Sequence, residues 1–233
     1  MTAPAPRTPR QQARIDALAR IKEIARRQLA AGGAGALSLR EIAKEMGLVS
    51  SAVYRYVPSR DALLTTLIAE AYDRLGAVAE AADAAVDRDD VAGRWRAAAG
   101  AMRDWALANP TDHTLVFGPP VPGYDAPEQT YAPAQRWIEI LLDVLRGAAP
   151  SGLPEPAPEL AASLTAFRDL RAPGIPLPLM AAGLRAWAQL HGLVALEVYG
   201  QTDFVLHSAE GLFRDCVEHQ VTQLGLDHGR GSR

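Results

Sequence analysis

The hydrophobic positions of this chain recur almost everywhere at intervals of three or four residues, which is the spacing of an α-helix. The first stripe consists of Ile15, Leu18, Ile21, Ala25 and Leu29. It stops at a cluster of glycines, where a helix readily ends. Runs of residues that favour strands are scarce. The pattern therefore predicts an all-α fold whose first helix covers about residues 8–31.

Two short helices and a long one are predicted next. Ser38 and Glu41 have the spacing of a capping box, which would begin a helix over residues 39–46. Gly47 then allows a sharp turn into a second short helix over residues 50–57. A proline and a serine separate that helix from a long one. Two short helices joined at a glycine and supported by longer ones are typical of a helix-turn-helix.

The rest of the chain has longer helical segments separated by proline-rich breaks. The helices are expected from residue 60 onward and over about residues 89–108, 133–146, 158–170, 180–198 and 205–224. The sequence thus divides into an N-terminal domain, residues 1–60, a C-terminal domain, residues 61–226, and a tail, residues 227–233.

The last two predicted helices carry paired hydrophobic stripes. Such stripes allow a helix hairpin to pack against a second copy and form a four-helix interface. They fit an ordinary core within one chain equally well. The residues assigned to a homodimer interface are Leu184, Trp187, His191, Val194, Leu212, Phe213 and Val217.

Charge is distributed unevenly along the chain, although the formal net charge of the 233 residues is only -3. The first 60 residues contain 11 Lys or Arg and 4 Asp or Glu, whereas the remainder contains 13 and 23. A basic end on an acidic body suits a protein that holds a polyanion at one end. Arginines on the solvated face of a helix would give the same count. Nucleic acid is the partner that the asymmetry favours.

Several classes of function lack their signature residues. The sequence has no Gly-x-Ser-x-Gly, no nucleotide-binding glycine motif after a strand and no His-Glu-x-x-His, so we expect no catalytic activity, no cofactor and no metal site. Cys216 is the single cysteine, which excludes a disulfide within one chain. With no signal-peptide pattern and no run of about 20 apolar residues, we expect a cytoplasmic protein without a membrane partner.

The segment from Leu39 to Leu64 carries the most specific signal. It combines a helix ending in glycine, a short helix ending in Tyr-x-Tyr, and a basic residue before a leucine-rich helix. The positions that carry this pattern are Ile42, Ala43, Gly47, Val53, Tyr54, Tyr56, Arg60 and Leu63. The pattern resembles the DNA-binding signature of the TetR family of transcriptional regulators. Further along, Trp187, His191 and Gly192 resemble the Trp…His-Gly motif of one TetR subgroup.

The resemblance implies a regulator, by default a repressor, that binds palindromic operator DNA as a homodimer and is released by a small molecule. Its recognition helix would follow Gly47, with a small, polar outer face that enters the major groove. Tyrosine hydroxyls and nearby arginines suit backbone phosphates. The residues assigned to double-stranded DNA are Ser38, Arg40, Ser50, Ser51, Ala52, Tyr54, Arg55, Tyr56 and Arg60.

Two features beside the recognition helix modify this picture. Val49 stands where many relatives have Ser or Thr, so we expect the helix cap to shift to Ser50. Arg7, Arg10 and Arg14 form a basic arm that either contacts flanking DNA or stays idle.

The resemblance also places an effector site inside the C-terminal domain. Aromatic residues with few charges nearby suit an apolar or aromatic small molecule. The residues assigned to this pocket are Trp95, Met102, Trp105, His113, Phe117, Trp137 and Phe167. The alternative is a DNA-binding protein without a ligand, acting as an architectural or partner-recruiting factor; it would have the same basic end and a filled core.

Overall fold

The computed structural model describes residues 8–227, and the regular structure in this range is helical. Its α-helices are α1 (Pro9–Gly32), α2 (Leu39–Glu45), α3 (Ser50–Tyr54), α4 (Arg60–Ala84), α5 (Val91–Ala108), α6 (Pro110–Phe117), α7 (Tyr131–Arg146), α8 (Pro158–Arg171), α9 (Leu177–Val198) and α10 (Glu210–Gln223). The predicted all-α fold is confirmed. Arg7 and the predicted tail from residue 228 lie outside the described residues.

One helix was not expected from the sequence. Helix α6 lies just beyond the helix expected over residues 89–108, in a stretch to which the sequence pattern assigned no helix. Pro110 follows the end of α5 but also begins α6, because the first turn of a helix accommodates the fixed φ and missing N–H of proline. Elsewhere the differences are at helix ends: α3 ends at Tyr54, earlier than predicted, and α10 begins at Glu210, later than predicted.

The chain forms two compact units, and they do not divide at residue 60. One unit, called the head below, comprises the described chain up to Ala71 together with Thr111–Tyr131. The other, called the body, comprises Tyr72–Pro110 and the chain from Ala132 onward. The predicted boundary is therefore wrong, since the first part of α4, most of α6 and the loop after α6 all belong to the head.

An apolar cluster holds the first four helices of the head together. Ile24 of α1, Ile42 of α2, Val53 of α3 and Leu64 of α4 are fully buried in it. A helix as short as α3 is not stable alone in water. Burial of Val53 therefore fixes both the position and the outward face of α3.

The segment that follows α5 completes the head. Leu115 of α6 and Val121 and Tyr124 of the next loop pack against the apolar cluster. The hydroxyl oxygens of Tyr124 and Thr65 lie 2.9 Å apart, within hydrogen-bonding distance. A segment from the middle of the sequence is thus built into the unit that carries the helix-turn-helix.

In the body, α5 packs against both α9 and α10. The Trp95 indole of α5 donates a hydrogen bond to Gln220 Oε1 of α10 at 3.1 Å. The Gln220 amide in turn donates to the Ala186 carbonyl of α9 at 3.1 Å. One fully buried glutamine side chain therefore joins three helices.

Ion pairs fix the second part of α4 and α7 to α5. Arg94 of α5 is buried and bonds Asp83 of α4 and Asp143 of α7, each at 2.7 Å. Although burial alone would lower the pKa of Arg94, these two carboxylates raise it. A Cβ at Gly76 would lie 2.9 Å from the Arg136 Cβ, so α4 and α7 approach each other closely there.

Candidate DNA-binding site and ligand cavity

The helix-turn-helix begins at Ser38, whose hydroxyl accepts a hydrogen bond from the Glu41 N–H at 3.3 Å and so caps α2. The other half of the predicted capping box is replaced. The Ser38 N–H donates to Gln28 Oε1 of α1 at 2.9 Å instead of to Glu41. The Ser38 hydroxyl therefore caps α2, and the Ser38 backbone N–H joins α2 to α1.

Gly47 forms the turn between α2 and α3. Its φ of 69° lies in the left-handed region, which favours glycine. The turn lets α3 pack against α2. The predicted pair of short helices joined at this glycine is confirmed.

Helix α3 presents most of the face predicted for DNA. Ser50, Ser51, Tyr54 and the following Arg55 are exposed. Ala52 is not part of that face, because only 6% of it is exposed. Adjacent helical residues are separated by about 100°, so position 52 turns inward beside the fully buried position 53. Burial therefore weakens the assignment of Ala52 to DNA.

The start of α3 has no side-chain cap. Val49 is the N-cap residue, and its side chain makes no capping hydrogen bond. The expected shift of the cap to Ser50 does not occur, since Ser50 is already the first helical residue. Val49 is also 71% exposed, so an apolar side chain stands in solvent beside the recognition helix.

Positive charge surrounds α3. Arg40 of α2 is exposed. The Arg14 guanidinium of α1 lies over the half-buried Tyr56 ring, 5.7 Å from its centroid. This cation–π contact orders a residue of the predicted basic arm next to the recognition helix.

Arg60 has a role that its place in the sequence did not indicate. One guanidinium nitrogen donates to the Ala34 carbonyl at 2.7 Å, and another pairs with Asp61 at 3.3 Å. Arg60 thus holds the turn after α1 against the start of α4. Its guanidinium is engaged within the head, which weakens its assignment to a phosphate.

A cavity of about 260 Å³ lies between α7, α8 and α9 of the body. Its lining residues are Ile138, Leu141, Leu142, Leu145, Leu164, Phe167, Met180, Gly183, Leu184 and Trp187. Of the residues assigned to the effector pocket from sequence, only Phe167 belongs to it. Leu184 and Trp187, both assigned to the dimer interface, also line it.

The remaining residues assigned to the pocket lie elsewhere. His113 and Phe117 belong to the head, where their ring centroids are 5.4 Å apart. The other four are buried side chains of the body that do not line the α7–α9 cavity: Trp95, Met102, Trp105 and Trp137. Aromatic content identified the hydrophobic core rather than this cavity.

Some of the residues assigned to a dimer interface are buried within the chain, and others are exposed. Val194, Phe213 and Val217 are buried within their own chain, and His191 is half-buried with its ring 4.5 Å from that of Trp187. Burial leaves the first three little surface for a second copy. Leu184 and Leu212 are exposed, as an interface requires.

The exposed side of α9 is more apolar than the assigned residues suggested. Leu184, Ala188, Gly192 and Leu196 follow at intervals of four residues and are all exposed. A Cβ added at Gly192 would meet nothing within 4 Å. The four-residue spacing is visible in the sequence, but Ala188 and Gly192 are too small to form an apolar stripe that stands out there.

Neither a metal centre nor a membrane helix is found in residues 8–227. No group of three or more His, Cys, Asp or Glu residues there is arranged to hold a metal ion. No helix there combines the length and hydropathy needed to cross a membrane.

A capped helix, a glycine turn and a short helix with an exposed polar face define a DNA-binding protein of the helix-turn-helix class. Comparison with family models identifies the family. Residues 21–67 match bacterial regulatory proteins of the tetR family. Residues 95–220 match the Tetracyclin repressor-like C-terminal domain. The chain therefore belongs to the TetR family of transcriptional regulators, a family of regulators rather than enzymes.

Proteins similar to this chain include several that are described as regulators. The HTH-type transcriptional regulators Rv1816 of Mycobacterium tuberculosis (strain ATCC 25618 / H37Rv) and Mb1846 of Mycobacterium bovis are each 41% identical over 232 residues, covering 94% of this chain and 96% of theirs. The crystal structure of regulatory protein SCO4313 has a TM-score of 0.78 at 33% identity, covering 92% of this chain and 99% of that one. The TetR family regulator PfmR from Thermus thermophilus shares the fold, with a TM-score of 0.55 at 19% identity over 90% of this chain and all of its own.

Proposed function

We propose that this regulator is a repressor that binds a palindromic operator as a homodimer and releases it when a small molecule binds the body. The observation that carries the DNA-binding part is the exposed face of α3. Ser50, Ser51 and Arg55 project from a helix that buried Val53 fixes in place. Short hydroxyl side chains let such a helix approach base edges, and an arginine suits guanine or a phosphate.

Phosphate contacts would come from the residues around α3. Tyr54 offers an exposed phenol, and Arg40 an exposed guanidinium on the preceding helix. Arg14, held over Tyr56, would offer a further positive charge to the DNA backbone. Contacts of this kind set the register of the protein on the duplex and make binding depend on salt.

Pairing of two chains is proposed through the outer side of α9 and α10. Leu184, Gly192 and Leu196 of α9, with Leu212 of α10, are apolar or small and exposed. Small residues allow two helices to approach closely. A twofold dimer would place two recognition helices about 34–36 Å apart, the spacing of successive major grooves, or somewhat wider.

Release would require a ligand that favours a body conformation incompatible with that spacing. Helix α4 belongs to the head up to Ala71 and to the body from Tyr72. We propose this continuous helix as the element that a ligand-dependent change in the body biases. The size of the effect is limited to the difference in ligand affinity between the two conformations. Because its partner is chromosomal DNA, the protein would act in the cytoplasm.

Selection from a library of DNA upstream of its own gene, at two salt concentrations, tests the DNA-binding proposal. We expect a palindromic motif whose binding weakens steeply with salt. Arg55→Gln should weaken binding to that motif. Arg168→Gln, which removes the same charge from α8 of the body, should not. No enriched motif, or equal losses in both variants, would contradict the proposal.

Dimerisation is tested separately by sedimentation of the purified chain. Gly192→Glu places a charge on the exposed side of α9, where the new side chain has room in the monomer. Ala166→Glu places the same charge on the exposed side of α8. We expect only the first variant to sediment as a monomer. A dimer that survives Gly192→Glu would place the interface elsewhere.

A further inference from the structure

The cavity between α7, α8 and α9 has walls of unusually uniform chemistry. Apart from Gly183 and the indole of Trp187, the lining side chains are aliphatic, a phenyl ring and a thioether. None of them carries a charge. A ligand inside would therefore find almost no partner for a polar atom, and burying such an atom without a hydrogen bond is unfavourable.

The cavity has buried walls and a partly exposed rim. Leu142 and Leu145 of α7 and Met180 of α9 are each 4% exposed. Phe167 of α8 is 39% exposed and Leu184 of α9 is 42% exposed. A protein partner would contact these two rim residues, whereas the buried walls are within reach of a small molecule. The geometry favours a ligand over a docked chain.

The cavity is a small one. Ligand pockets usually measure about 300–1,000 Å³, and a dry apolar cavity of about 150 Å³ is large enough for benzene. A volume of about 260 Å³ lies between these values. It suits a single aromatic ring with a short alkyl chain better than a large polycyclic or long-chain molecule.

The two helices beside α7 differ in how tightly they are packed. Leu164 is the one described residue of α8 that is buried, and α8 contacts α9 and is joined to α7 by the Arg171–Glu139 ion pair at 2.6 Å. The opposite wall is rigid by comparison. A Cβ at Gly183 of α9 would lie only 2.5 Å from Leu145 Cδ1 of α7, so these two helices are already in close contact.

We propose that this cavity binds a small, uncharged hydrocarbon of the alkylbenzene type, with Phe167 at its entrance. The inference rests on the proposed function only in treating this molecule as the effector; the binding itself does not depend on DNA. A charged ligand of the same skeleton is excluded because no lining residue offers a counter-ion.

The test uses the full chain and two matched probes, n-butylbenzene and 4-phenylbutyrate, in calorimetric titrations. The second probe has the same ring and chain length with a carboxylate at the end. We expect saturable binding of n-butylbenzene and binding at least about tenfold weaker for 4-phenylbutyrate. Equal binding of both, or no binding of n-butylbenzene, overturns the proposal.

Two variants of α8 locate the site. Leu164→Phe adds volume inside the cavity and should weaken n-butylbenzene binding about tenfold or more. Leu170→Phe makes the same change at a residue that is exposed and does not line the cavity, and binding should stay within about twofold. Phe167→Ala, at the exposed rim, should fold normally and admit a longer alkyl chain. Equal effects of Leu164→Phe and Leu170→Phe overturn the location.

Operator binding and sedimentation of the same samples separate this inference from the proposed function. Normal operator binding without n-butylbenzene binding overturns the ligand site and leaves the repressor intact. Ligand binding without operator binding supports the site while contradicting the repressor. Loss of the dimer in Leu164→Phe, with no n-butylbenzene binding to the wild type, shows that a second copy of the chain occupies the cavity and overturns the proposal.

Discussion

Arg26 of α1 forms an ion pair with Asp112 of α6, with Nε 3.4 Å from Oδ1, although 86 positions separate them in the chain. The Asp112 side chain is nearly buried. Arg26 also bonds Glu70 of α4 at 2.9 Å. The pair ties the segment after α5 to the helix that supports the helix-turn-helix, so the head depends on residues far outside the N-terminal sequence that resembles the family.

Asp112→Asn should loosen that segment from the head. The substitution deprives Arg26 of one of its two charge partners and removes an acidic group from the first turn of α6. Because Arg26 is about one-third exposed, we expect a loss of about 1–2 kcal/mol in the free energy of unfolding, below the full cost of a buried pair. Hydrogen exchange in Thr111–Tyr131 should accelerate.

The control for this substitution is Glu41→Gln. Glu41 pairs with Lys44 on the exposed side of α2, where both side chains are in solvent. Exposed pairs contribute little, so urea unfolding should change by less than about 0.5 kcal/mol. If both variants lost the same stability, or exchange in Thr111–Tyr131 stayed unchanged, the pair would have no role in joining this segment to the head.

The uncapped start of α3 offers a stabilising substitution. Val49→Thr places a hydroxyl at the N-cap position, where it can accept a hydrogen bond from the open backbone N–H groups of α3. We expect a gain of about 0.5–1 kcal/mol in thermal or urea unfolding. Val205→Thr makes the same change at an equally exposed position that caps no helix, and it should be neutral. An equal effect in both would show that a more polar surface, not capping, is responsible.

Arg40 and Arg60 should respond differently to the same substitution. Arg40→Gln should reduce the salt dependence of operator binding by about one phosphate contact, with stability unchanged. Arg60→Gln removes one of the two hydrogen bonds that the Ala34 carbonyl accepts, since the other comes from the Leu37 N–H, and it should lower the free energy of unfolding by about 1 kcal/mol. Operator titrations over a salt series, with urea unfolding, distinguish them. If Arg60→Gln reduced the salt dependence of operator binding and left stability normal, Arg60 would be a DNA-contacting residue after all.

The helix-turn-helix was predictable because local features determine it. Ser38 caps α2, Gly47 adopts the backbone conformation that favours glycine, and Val53 is buried where its spacing puts it. These features need only neighbouring residues. Helix α6 escaped prediction because a proline after a helix is compatible both with a loop and with the first turn of another helix.

The ligand and dimer residues were less predictable because an apolar stripe on a helix can pack in the core of its own chain, line a cavity or face a second copy. Val194 of α9 and Phe213 of α10 each belong to an apolar stripe at helical spacing, and both are buried in the core of their own chain. Ala188 and Gly192 carry little hydrophobic signal, yet they lie on the exposed side of α9. Which face of a helix stays open depends on the packing of distant helices, and the sequence of one helix does not contain that information.

His113 should make the stability of the protein sensitive to mild acid. Its side chain in α6 is fully buried, and burial lowers the pKa of its imidazole below the ordinary 6.5. As the pH falls through 6.5, the unfolded chain binds the proton before the folded chain does. The contribution of the neutral His113 to the free energy of unfolding is therefore fully present above pH 6.5. It decreases as the pH falls from 6.5 towards the lowered pKa of His113 in the folded state.

Urea unfolding at pH 7.5 and 5.5 measures this effect. His113→Gln should reduce the difference between the two pH values, by no more than about 1.4 kcal/mol, since one pH unit corresponds to about 1.36 kcal/mol for a single titrating group. His207→Gln, at an exposed histidine, should leave the difference unchanged. Glu70 and Asp143 do not interfere, because their pKa values are lowered from ordinary values of 4.5 and 3.8 and they titrate in stronger acid. An unchanged pH difference in His113→Gln would show that this buried imidazole does not control the response to acid.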